Sequence, residues 1–465
     1  MQLRPYQADA VAQLRAAYSS GKRAPLFCLP TGGGKTFVFS YIANNATARG
    51  NRVCILVHRQ ELLLQASRSL QAIGVRHGLI APGYIQNREP VQIASVQTLG
   101  RRINNTRSVN TFHNFDLVIV DEAHHAVAGT WKRLIEAMPQ ARILGVTATP
   151  VRTDGQGLSD VFDAMVVGPS VETLIDMGFL VRPVVYAPPS ALDLSGVRRR
   201  GGDYDQRELA TRMDKPTITG DAVKHYRKLC DGKPAIAFCA SVAHAQHVAE
   251  QFKASGYSAR SIDGSMLDTE RKQAIADLGQ GRLQVLTSCD IVSEGTDIPV
   301  VEAAILLRPT QSLGLYLQQV GRALRPAPGK DRAIILDHVG NCLRHGLPDD
   351  QREWTLDGLP RSARSKSDDE PDVTVKQCEK CFAVFKPSLV CPACGHVHAP
   401  KAREIQQNDG ELEEVDANLL RAQQRQEVGK ARTLEQLIEV AKRRGYNVRW
   451  AYNVFNARQA KHARH

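Results

Sequence analysis

Eight consecutive residues near the amino terminus combine the residue types that bind phosphate: Leu29, Pro30, Thr31, Gly32, Gly33, Gly34, Lys35 and Thr36. In a glycine-rich turn of this kind, backbone N–H groups and the N-terminus of the following helix face the β-phosphate. The lysine reaches the β- and γ-phosphates, and the threonine hydroxyl holds Mg²⁺. Leu29 stands where the usual pattern has a glycine, so the match is to the Pro-Thr-Gly-x-Gly-Lys-Thr variant. The loop predicts a bound nucleoside triphosphate.

The carboxylate pair Asp121 and Glu122 is the second group with catalytic potential. It follows an apolar run over residues 117–120, which is typical of a buried strand. In this position Asp121 can hold Mg²⁺ through its water shell, and Glu122 can orient and deprotonate an attacking water. Such pairs are also common on protein surfaces, but a pair at the end of a buried strand favours the catalytic interpretation.

Four cysteines form two C-x-x-C pairs, Cys378 with Cys381 and Cys391 with Cys394. Four thiolates at this spacing predict a tetrahedral structural Zn²⁺ site, because so short a segment has too little apolar area to fold alone. Residues 1–7 lack a run of signal-peptide length, and no segment has the apolar stretch that spans a bilayer. We therefore expect a cytoplasmic protein without membrane contact, in which disulfides are disfavoured.

Alternating strand and helix patterns must position these groups. The first set has strands predicted at residues 26–29, 53–57, 91–94, 117–120 and 143–147, with helices such as 37–46, 60–72 and 130–137 between them. The second set has strands predicted at 235–239, 258–262, 284–287, 303–307 and 333–336. Alternation of this kind predicts an α/β fold of two tandem parallel-sheet domains, with ligands at the carboxyl ends of the strands.

The charge balance favours a polyanionic partner. The 465 residues carry a formal charge of +12, and the pI is near 9.3. A nucleic-acid partner fits this charge, and so does a merely basic soluble enzyme. Two basic segments, residues 198–200 and the tail from Lys430, are each open to two interpretations. The arginines are a solvated run or a nucleic-acid contact, and the aromatics of the tail stack on bases or form a small helical core.

Several motifs in order carry a family resemblance. They are the phosphate loop, Asp121-Glu122-Ala123-His124, Thr147-Ala148-Thr149-Pro150 and residues 318–325. Together they resemble the DEAH-type helicases of superfamily 2, which have two RecA-like domains. Residues 3–7 are similar to the branch that includes XPB and the restriction-enzyme translocases. Residues 308–338 look closest to the bacterial RadD-like DNA-repair helicases and their prophage relatives. The resemblance covers about residues 3–347.

The resemblance implies roles for further residues around the nucleotide. Gln7 would contact the adenine edge, and Gly295 and Asp297 would sense the nucleotide, with Asp297 near the ribose. Arg322 and Arg325 would be arginine fingers. A loose phosphoryl-transfer transition state spreads charge over the γ-phosphoryl oxygens, so a finger from the second domain would make hydrolysis depend on closure of the cleft.

The resemblance also implies the nucleic-acid contacts and the domain limits. Arg59 and Thr98 would touch the sugar-phosphate strand, and Thr147 and Thr149 would couple hydrolysis to strand contacts. The expected segments are an ATP-binding RecA-like domain (1–182), a hinge or insertion (183–215), a second RecA-like domain (216–347), a linker (348–372), a zinc ribbon (373–400) and a helical basic tail (401–465).

The motif set predicts an ATP-dependent nucleic-acid helicase or translocase with ATP, Mg²⁺ and structural Zn²⁺. DNA is favoured over RNA by family likeness, in repair, recombination or phage replication, with single-strand-binding, repair or replication proteins as candidate partners. The alternative is a DNA-stimulated ATPase that clamps or remodels DNA, or the motor subunit of a larger complex, without strand separation. A restriction motor is weakened because the C-terminal part shows no convincing nuclease constellation.

Overall fold

The computed structural model describes residues 2–85, 87–103, 115–126, 129–152, 154–188, 194, 196–213, 216–289, 298, 300–358, 375–398, 431, 433–443, 451–452 and 454–456. The chain forms two compact units, Met1–Ala399 and Pro400–His465. No helix among the described residues is long and apolar enough to cross a bilayer. Gly295, Asp297 and residues 401–430 of the expected helical tail lie outside the described residues.

Seven parallel strands form the first sheet: β1 (Pro25–Cys28), β2 (Val53–Val57), β3 (His77–Ile80), β4 (Val91–Ser95), β5 (Leu117–Asp121), β6 (Arg142–Thr147) and β7 (Ala164–Val167). Their order across the sheet is β3-β4-β2-β5-β6-β1-β7. Both faces are covered, because Phe27 and Ile55 belong to one buried apolar cluster while their neighbours Leu26 and Leu56 belong to another. The parallel strands therefore read as continuous apolar runs.

Among the described residues of this part, the helices that accompany the sheet are α1 (Pro5–Ser19), α2 (Lys35–Thr47), α3 (Gln60–Ala72), α4 (Val96–Ile103), α5 (Gly129–Glu136) and α6 (Val171–Asp176). The sheet and these helices are called the first lobe. The five strands expected in this part are present within one residue at each end. β3 and β7 were not expected, because their four-residue runs are only partly buried.

The second sheet is built on β8 (Arg182–Tyr186), β11 (Ala235–Cys239), β12 (Ala259–Ile262), β13 (Val285–Ser288), β14 (Ala303–Leu307) and β15 (Arg332–Asp337). These six strands are parallel, in the order β12-β13-β11-β14-β15-β8. The accompanying helices are α7 (Gln206–Met213), α8 (Pro216–Cys230), α9 (Val242–Ala254), α10 (Asp268–Gly279), α11 (Leu313–Ala323) and α12 (Asn341–His345). The region 182–347 is called the second lobe. The expected α/β fold with two RecA-like sheets is confirmed.

The segment expected as a hinge, residues 183–215, is largely structured. Its β-branched residues Val184 and Val185 pair with Ile334 and Ile335 of β15, so β8 belongs to the second sheet. A hairpin follows, made of β9 (Arg199–Arg200) and β10 (Asp203–Tyr204), and it leads into α7. A short strand beside proline resembles a linker in composition, so the pairing of β8 with β15 is not visible in the sequence.

The cysteine-rich segment extends the second sheet. Its two strands, β16 (Lys376–Gln377) and β17 (Ala383–Phe385), are antiparallel, and β17 pairs antiparallel with β8. Because β17 covers the edge of β8, the ribbon is a continuation of the second lobe rather than a separate module.

Residues 348–358, which we expected to begin a linker, return to the first lobe and are called the strap. The carbonyl oxygen of Leu356 accepts hydrogen bonds from the N–H groups of Leu158 at 2.7 Å and Ser159 at 3.1 Å. The Leu356 side chain packs against a buried cluster of the first lobe. A Cβ on Gly157 would lie 2.0 Å from the Leu356 oxygen, so this close backbone approach requires glycine.

The second unit contains α13 (Leu434–Arg443), which begins with a capping box. Thr433 N–H donates to Gln436 Oε1, and Gln436 N–H donates to Thr433 Oγ1, both at 3.3 Å. A threonine and a glutamine three residues apart form the reciprocal bonds of a capping box. Phe455 packs against the small buried cluster of this unit, whereas Tyr452 is 47% exposed. One aromatic residue of the tail therefore packs in a core, and another faces solvent.

Candidate active site

The phosphate loop lies between β1 and α2, where the sequence places it. Gly34, directly before Lys35, has a φ of 91°, and Gly32 has a φ of 87°. Both values are left-handed, a conformation that glycine adopts without strain. The turn brings the loop to the N-terminus of α2, which begins at Lys35 and includes Thr36. Free N–H groups at such a terminus form an anion-binding cradle.

Lys35 turns back over the loop, and its Nζ donates to the carbonyl oxygen of Leu29 at 3.1 Å. Burial lowers the pKa of Lys35, the carboxylates of Glu122 and Asp121 raise it, and the guanidinium of Arg322 lowers it again. These opposing effects mean that four predicted site residues lie within electrostatic reach of one another. The structure therefore brings together groups from both lobes.

The two carboxylates stand at the end of β5, as expected. Asp121 is the last residue of the strand, and the side chains of Asp121 and Glu122 are both buried. Glu122 has a φ of 49°, and its N–H donates to Asp121 Oδ1 at 3.0 Å. A left-handed glutamate is strained, and such strain is concentrated at functional sites. The pair fits a carboxylate that holds Mg²⁺ beside one that activates water.

His124 links the carboxylates to Thr147 at the end of β6. Its Nδ1 lies 3.1 Å from Thr147 Oγ1 and 3.4 Å from Glu122 Oε2. Thr147 Oγ1 donates to the carbonyl oxygen of Thr149 at 2.9 Å, and both threonines are almost fully buried. This arrangement fits a coupling role for the threonines. Because the side chains of Thr147 and Thr149 are buried, neither is exposed for direct contact with a nucleic-acid strand.

The second lobe meets this site through α11. Nε2 of Gln318 donates to Glu122 Oε2 at 3.4 Å, and Arg322 is buried one turn further along the helix. A Cβ on Gly321 would lie 2.7 Å from Thr31 Cβ, so the helix packs directly on the phosphate loop. Arg325 follows the helix, and its Cγ lies 3.6 Å from the position a Cβ on Gly32 would take. Both predicted fingers thus lie beside the loop.

Lys330 is a functional candidate that sequence reasoning missed. Its Nζ donates to the carbonyl oxygens of Ala323 at 2.6 Å, Arg325 at 2.7 Å and Val301. Burial lowers its pKa to about 8. Lys330 therefore holds the turn between Arg322 and Arg325. It directly follows Pro328-Gly329 in a turn and belongs to no motif spacing, so no sequence signal assigned it a role.

Gln7 lies against the phosphate loop. Its Nε2 donates to the carbonyl oxygen of Gly33 at 3.3 Å, and its Oε1 accepts the N–H of Arg4 at 3.0 Å. Tyr6 donates to the same Gly33 oxygen at 2.8 Å. The Arg4 guanidinium stacks on the ring of Phe179, 4.0 Å from its centroid. Gln7 thus lies directly beside the phosphate loop. Its recognition of adenine stays a prediction.

Arg59 and Thr98 follow neighbouring strands and come to the same edge of the sheet. Arg59 precedes α3 and Thr98 lies in α4, after strands whose ends Val57 and Ser95 are paired. Across the cleft, Glu61 of α3 forms an ion pair of 3.3 Å with Arg271 of α10. The two predicted strand-binding residues therefore follow neighbouring strand ends, and Arg59 lies two residues before an ion pair that joins the lobes.

The four cysteines fit a tetrahedral zinc site. Their Sγ atoms all lie within 4.8 Å of one another, and the pairs Cys378–Cys394 and Cys381–Cys391 are both 3.7 Å apart. Tetrahedral Zn²⁺ with Zn–S bonds of about 2.3 Å separates its sulfurs by about 3.8 Å. The thiol geometry thus matches Zn²⁺, and a bound ion would join the two knuckles of the ribbon.

Two family models match the lobes. The type III restriction enzyme, res subunit, family matches residues 1–152, and the helicase conserved C-terminal domain family matches residues 221–327. A 51.5 kDa protein of Lactococcus phage (isolate 7-9) is 36% identical over 79% of this chain and 76% of its own. The Saccharomyces cerevisiae protein named as the ATP-dependent helicase IRC3 is 32% identical over 73% of this chain. This chain spans about half of that yeast protein, 51% of its length.

Solved structures share the fold. A fragment described as an HsdR subunit of a type I restriction enzyme from Vibrio vulnificus YJ016 has a TM-score of 0.58 at 22% identity, over 77% of this chain and 67% of that one. The ATP-dependent type ISP restriction-modification enzyme LlaBIII, bound to DNA, has a TM-score of 0.54 at 19% identity, over 72% of this chain and 28% of that one.

The chain belongs to the superfamily 2 helicases and is an ATP-hydrolysing helicase. Within that class it is homologous to IRC3 and to the helicases of restriction enzymes.

Proposed function

We propose that the protein couples ATP hydrolysis between its lobes to movement along DNA. The observation that carries this proposal is the position of α11, because this helix of the second lobe brings Gln318 to Glu122 and Gly321 to Thr31. ATP held in the cleft would be hydrolysed only when the lobes close. Closure and reopening would then advance a protein whose two lobes both hold one strand.

In this proposal the residues of the first lobe bind and activate the nucleotide. Lys35 and the loop N–H groups bind the β- and γ-phosphates, and Thr36 and Asp121 hold Mg²⁺. The ion would neutralise phosphate charge when bound. Glu122 accepts the proton of the attacking water, and Gln7 selects adenine. The strained backbone of Glu122 and its bond to Gln318 support its role.

The second lobe supplies the positive charge that the transition state needs. Arg322 and Arg325 would neutralise the γ-phosphoryl oxygens, and Lys330 holds the turn that carries Arg325. Gly295 and Asp297 are assigned to the nucleotide by family resemblance alone.

DNA is the proposed substrate, because the family matched by the first lobe is that of a restriction enzyme, a class that acts on DNA. Arg59 and Thr98 would contact the sugar-phosphate strand from neighbouring strand ends. The phage relative and the RadD-like residues 308–338 favour a role in DNA repair, recombination or phage replication. Structural Zn²⁺ in the cysteine ribbon would complete the second lobe.

The proposal is tested by ATP hydrolysis and strand displacement on the same preparation. We expect single-stranded or duplex DNA to stimulate ATP turnover more than RNA does, and forked DNA to be unwound. Stimulation by DNA without unwinding would instead support a clamp, a remodelling ATPase or the motor of a larger complex. Equal turnover with and without any nucleic acid would reject the proposal.

A further inference from the structure

A cationic hairpin lies outside the site described above. It comprises residues 198–208 and is called the arginine hairpin. Gly201 and Gly202 have φ values of 63° and 87°, which form the tight two-residue turn favoured between antiparallel strands. The exposed side chains of Arg199 and Arg200 lie on β9, opposite Tyr204 and Asp203 of β10. The hairpin therefore presents both arginines to solvent.

The hairpin and Arg308 line an open cavity of about 830 Å³. The carboxylates of the hairpin are engaged by the fold: Glu208 binds Arg198 at 2.5 Å, and Asp205 accepts the N–H groups of Arg207 and Glu208 at the start of α7. Arg200 and Arg207 are exposed beside the cavity. The carboxylates of Glu208 and Asp205 are thus bonded within the hairpin. The guanidinium groups of Arg200 and Arg207 give its solvent-facing surface a positive charge.

The hairpin is hydrogen-bonded to the residues that directly precede α11. Asp203 accepts hydrogen bonds from Thr310 Oγ1 at 2.8 Å and from the N–H of Gln311 at 2.7 Å. The next residue, Ser312, caps α11 by accepting the N–H of Leu315 at 3.2 Å. The same helix carries Gln318 and Arg322. A displacement of the hairpin would therefore act on the helix that completes the ATP site.

We propose that the arginine hairpin binds the phosphate backbone of the nucleic acid and couples strand contact to α11. This inference rests on the proposed function. Guanidinium groups bind phosphates through paired hydrogen bonds, which suits Arg200 and Arg207. The single aromatic of the hairpin, Tyr204, is 3% exposed, so no ring is offered for base stacking. The contact is with phosphates and is independent of base sequence.

The test is the salt dependence of binding by the full chain carrying Arg200→Ala and Arg207→Ala together. We expect about tenfold weaker binding to two single-stranded DNAs of unrelated sequence. Loss of two phosphate contacts should reduce the slope of log K against log salt by about 1.4.

The matched control is Arg15→Ala with Arg49→Ala. These exposed arginines line a cavity with Leu117 and Arg142, at the amino ends of β5 and β6, away from the ligand edge. The control should keep the original slope.

A second variant, Asp203→Asn, tests the coupling. It keeps every arginine, but it weakens the acceptor that holds Thr310 and Gln311 and removes the charge that pairs with Arg308 at 3.7 Å. We expect DNA affinity within about twofold of the unaltered protein and several-fold less DNA stimulation of ATP turnover. Unchanged stimulation in a variant with an unchanged melting temperature would overturn the coupling.

The possible failures are distinguishable. If the unaltered protein neither binds DNA nor responds to it in ATP turnover, the proposed function fails and the inference fails with it. If the unaltered protein binds and responds, but the double arginine variant keeps the original slope, the hairpin assignment alone is overturned.

Discussion

Gln318 of the second lobe donates a hydrogen bond of 3.4 Å to the Glu122 carboxylate of the first lobe, although 196 residues separate them. This bond joins the candidate catalytic base to the helix that carries a candidate arginine finger. The two lobes therefore contact each other at the candidate active site. A displacement of the second lobe would change the hydrogen bonding of the Glu122 carboxylate in the first lobe.

Removal of this bond should slow ATP turnover. We expect Gln318→Ala to reduce turnover by about tenfold, which corresponds to about 1.4 kcal/mol of activation free energy. Gln318→Glu should be more harmful, because it places like charges together. Steady-state hydrolysis measures both variants. Turnover of Gln318→Ala within twofold of the unaltered protein would argue against a catalytic effect of this contact.

Lys35→Ala and Glu122→Gln should each abolish ATP turnover, because one removes the phosphate-binding cation and the other the base. Arg322→Ala should retain ATP binding and lower hydrolysis by roughly a thousandfold. Equilibrium binding of a fluorescent ATP analogue separates the two effects. Lys22→Ala, at an exposed lysine before β1, is the control and should behave normally. A normal hydrolysis rate in Arg322→Ala would exclude the finger role.

The purified protein should contain about one zinc ion per chain, since four sulfurs form one tetrahedral cluster. Because β17 pairs with β8, removal of zinc should also lower the melting temperature of the second lobe. Metal analysis and thermal unfolding before and after chelation measure both effects, and Cys230→Ser, outside the cluster, is the control for zinc content alone. Absence of zinc from freshly purified protein would contradict the site.

The strap should depend on Gly157. A Cβ at this position would lie 2.0 Å from the Leu356 oxygen and 2.6 Å from the Gly358 nitrogen. We expect Gly157→Ala to destabilise the protein by about 2 kcal/mol or more, through overpacking and lost backbone bonds. Gly264→Ala is the matched control, because a Cβ there meets nothing within 4 Å. Urea unfolding compares the two, and equal midpoints would mean that the strap is easily displaced.

The stability of the second lobe should fall in acid partly through His345. Its Nε2 donates to the carbonyl oxygen of Thr310 at 2.9 Å, and burial lowers its pKa to about 4 from an ordinary value of 6.5. Between these values the unfolded chain binds a proton that the folded chain does not. The free energy of unfolding should therefore decrease as pH falls from 6.5 toward 4, by up to about 1.4 kcal/mol per pH unit.

The comparison for this pH effect is His345→Phe, which keeps an aromatic ring against Tyr316. Urea midpoints at pH 7 and pH 5 should differ less in this variant than in the unaltered protein. An identical acid sensitivity in both would show that His345 does not contribute.

Sequence reasoning located the local features well. The phosphate loop, the carboxylate pair and the four cysteines are short motifs whose chemistry depends on neighbours in the chain. Gln318, Lys330 and Asp203 act through partners far away in sequence or through backbone carbonyl oxygens, which no local spacing reveals. Their roles become visible only when the sheets are folded.

Other features of the fold are not visible in the sequence for a similar reason. β8 lies beside prolines and is short, so its strand character is decided by pairing with β15 and β17 rather than by its own composition. The strap is polar and has no periodicity, and its position is set by the backbone approach at Gly157. Tertiary contacts determine both segments.

The strap connects the two lobes at a second place. The chain crosses from the first lobe to the second between β7 and β8, and the strap brings it back at Leu356, so the lobes are joined at two places. Two connections restrict the relative displacements of the lobes more than a single connection would. Any movement of the second lobe must therefore keep the backbone bonds at Leu356 or break them.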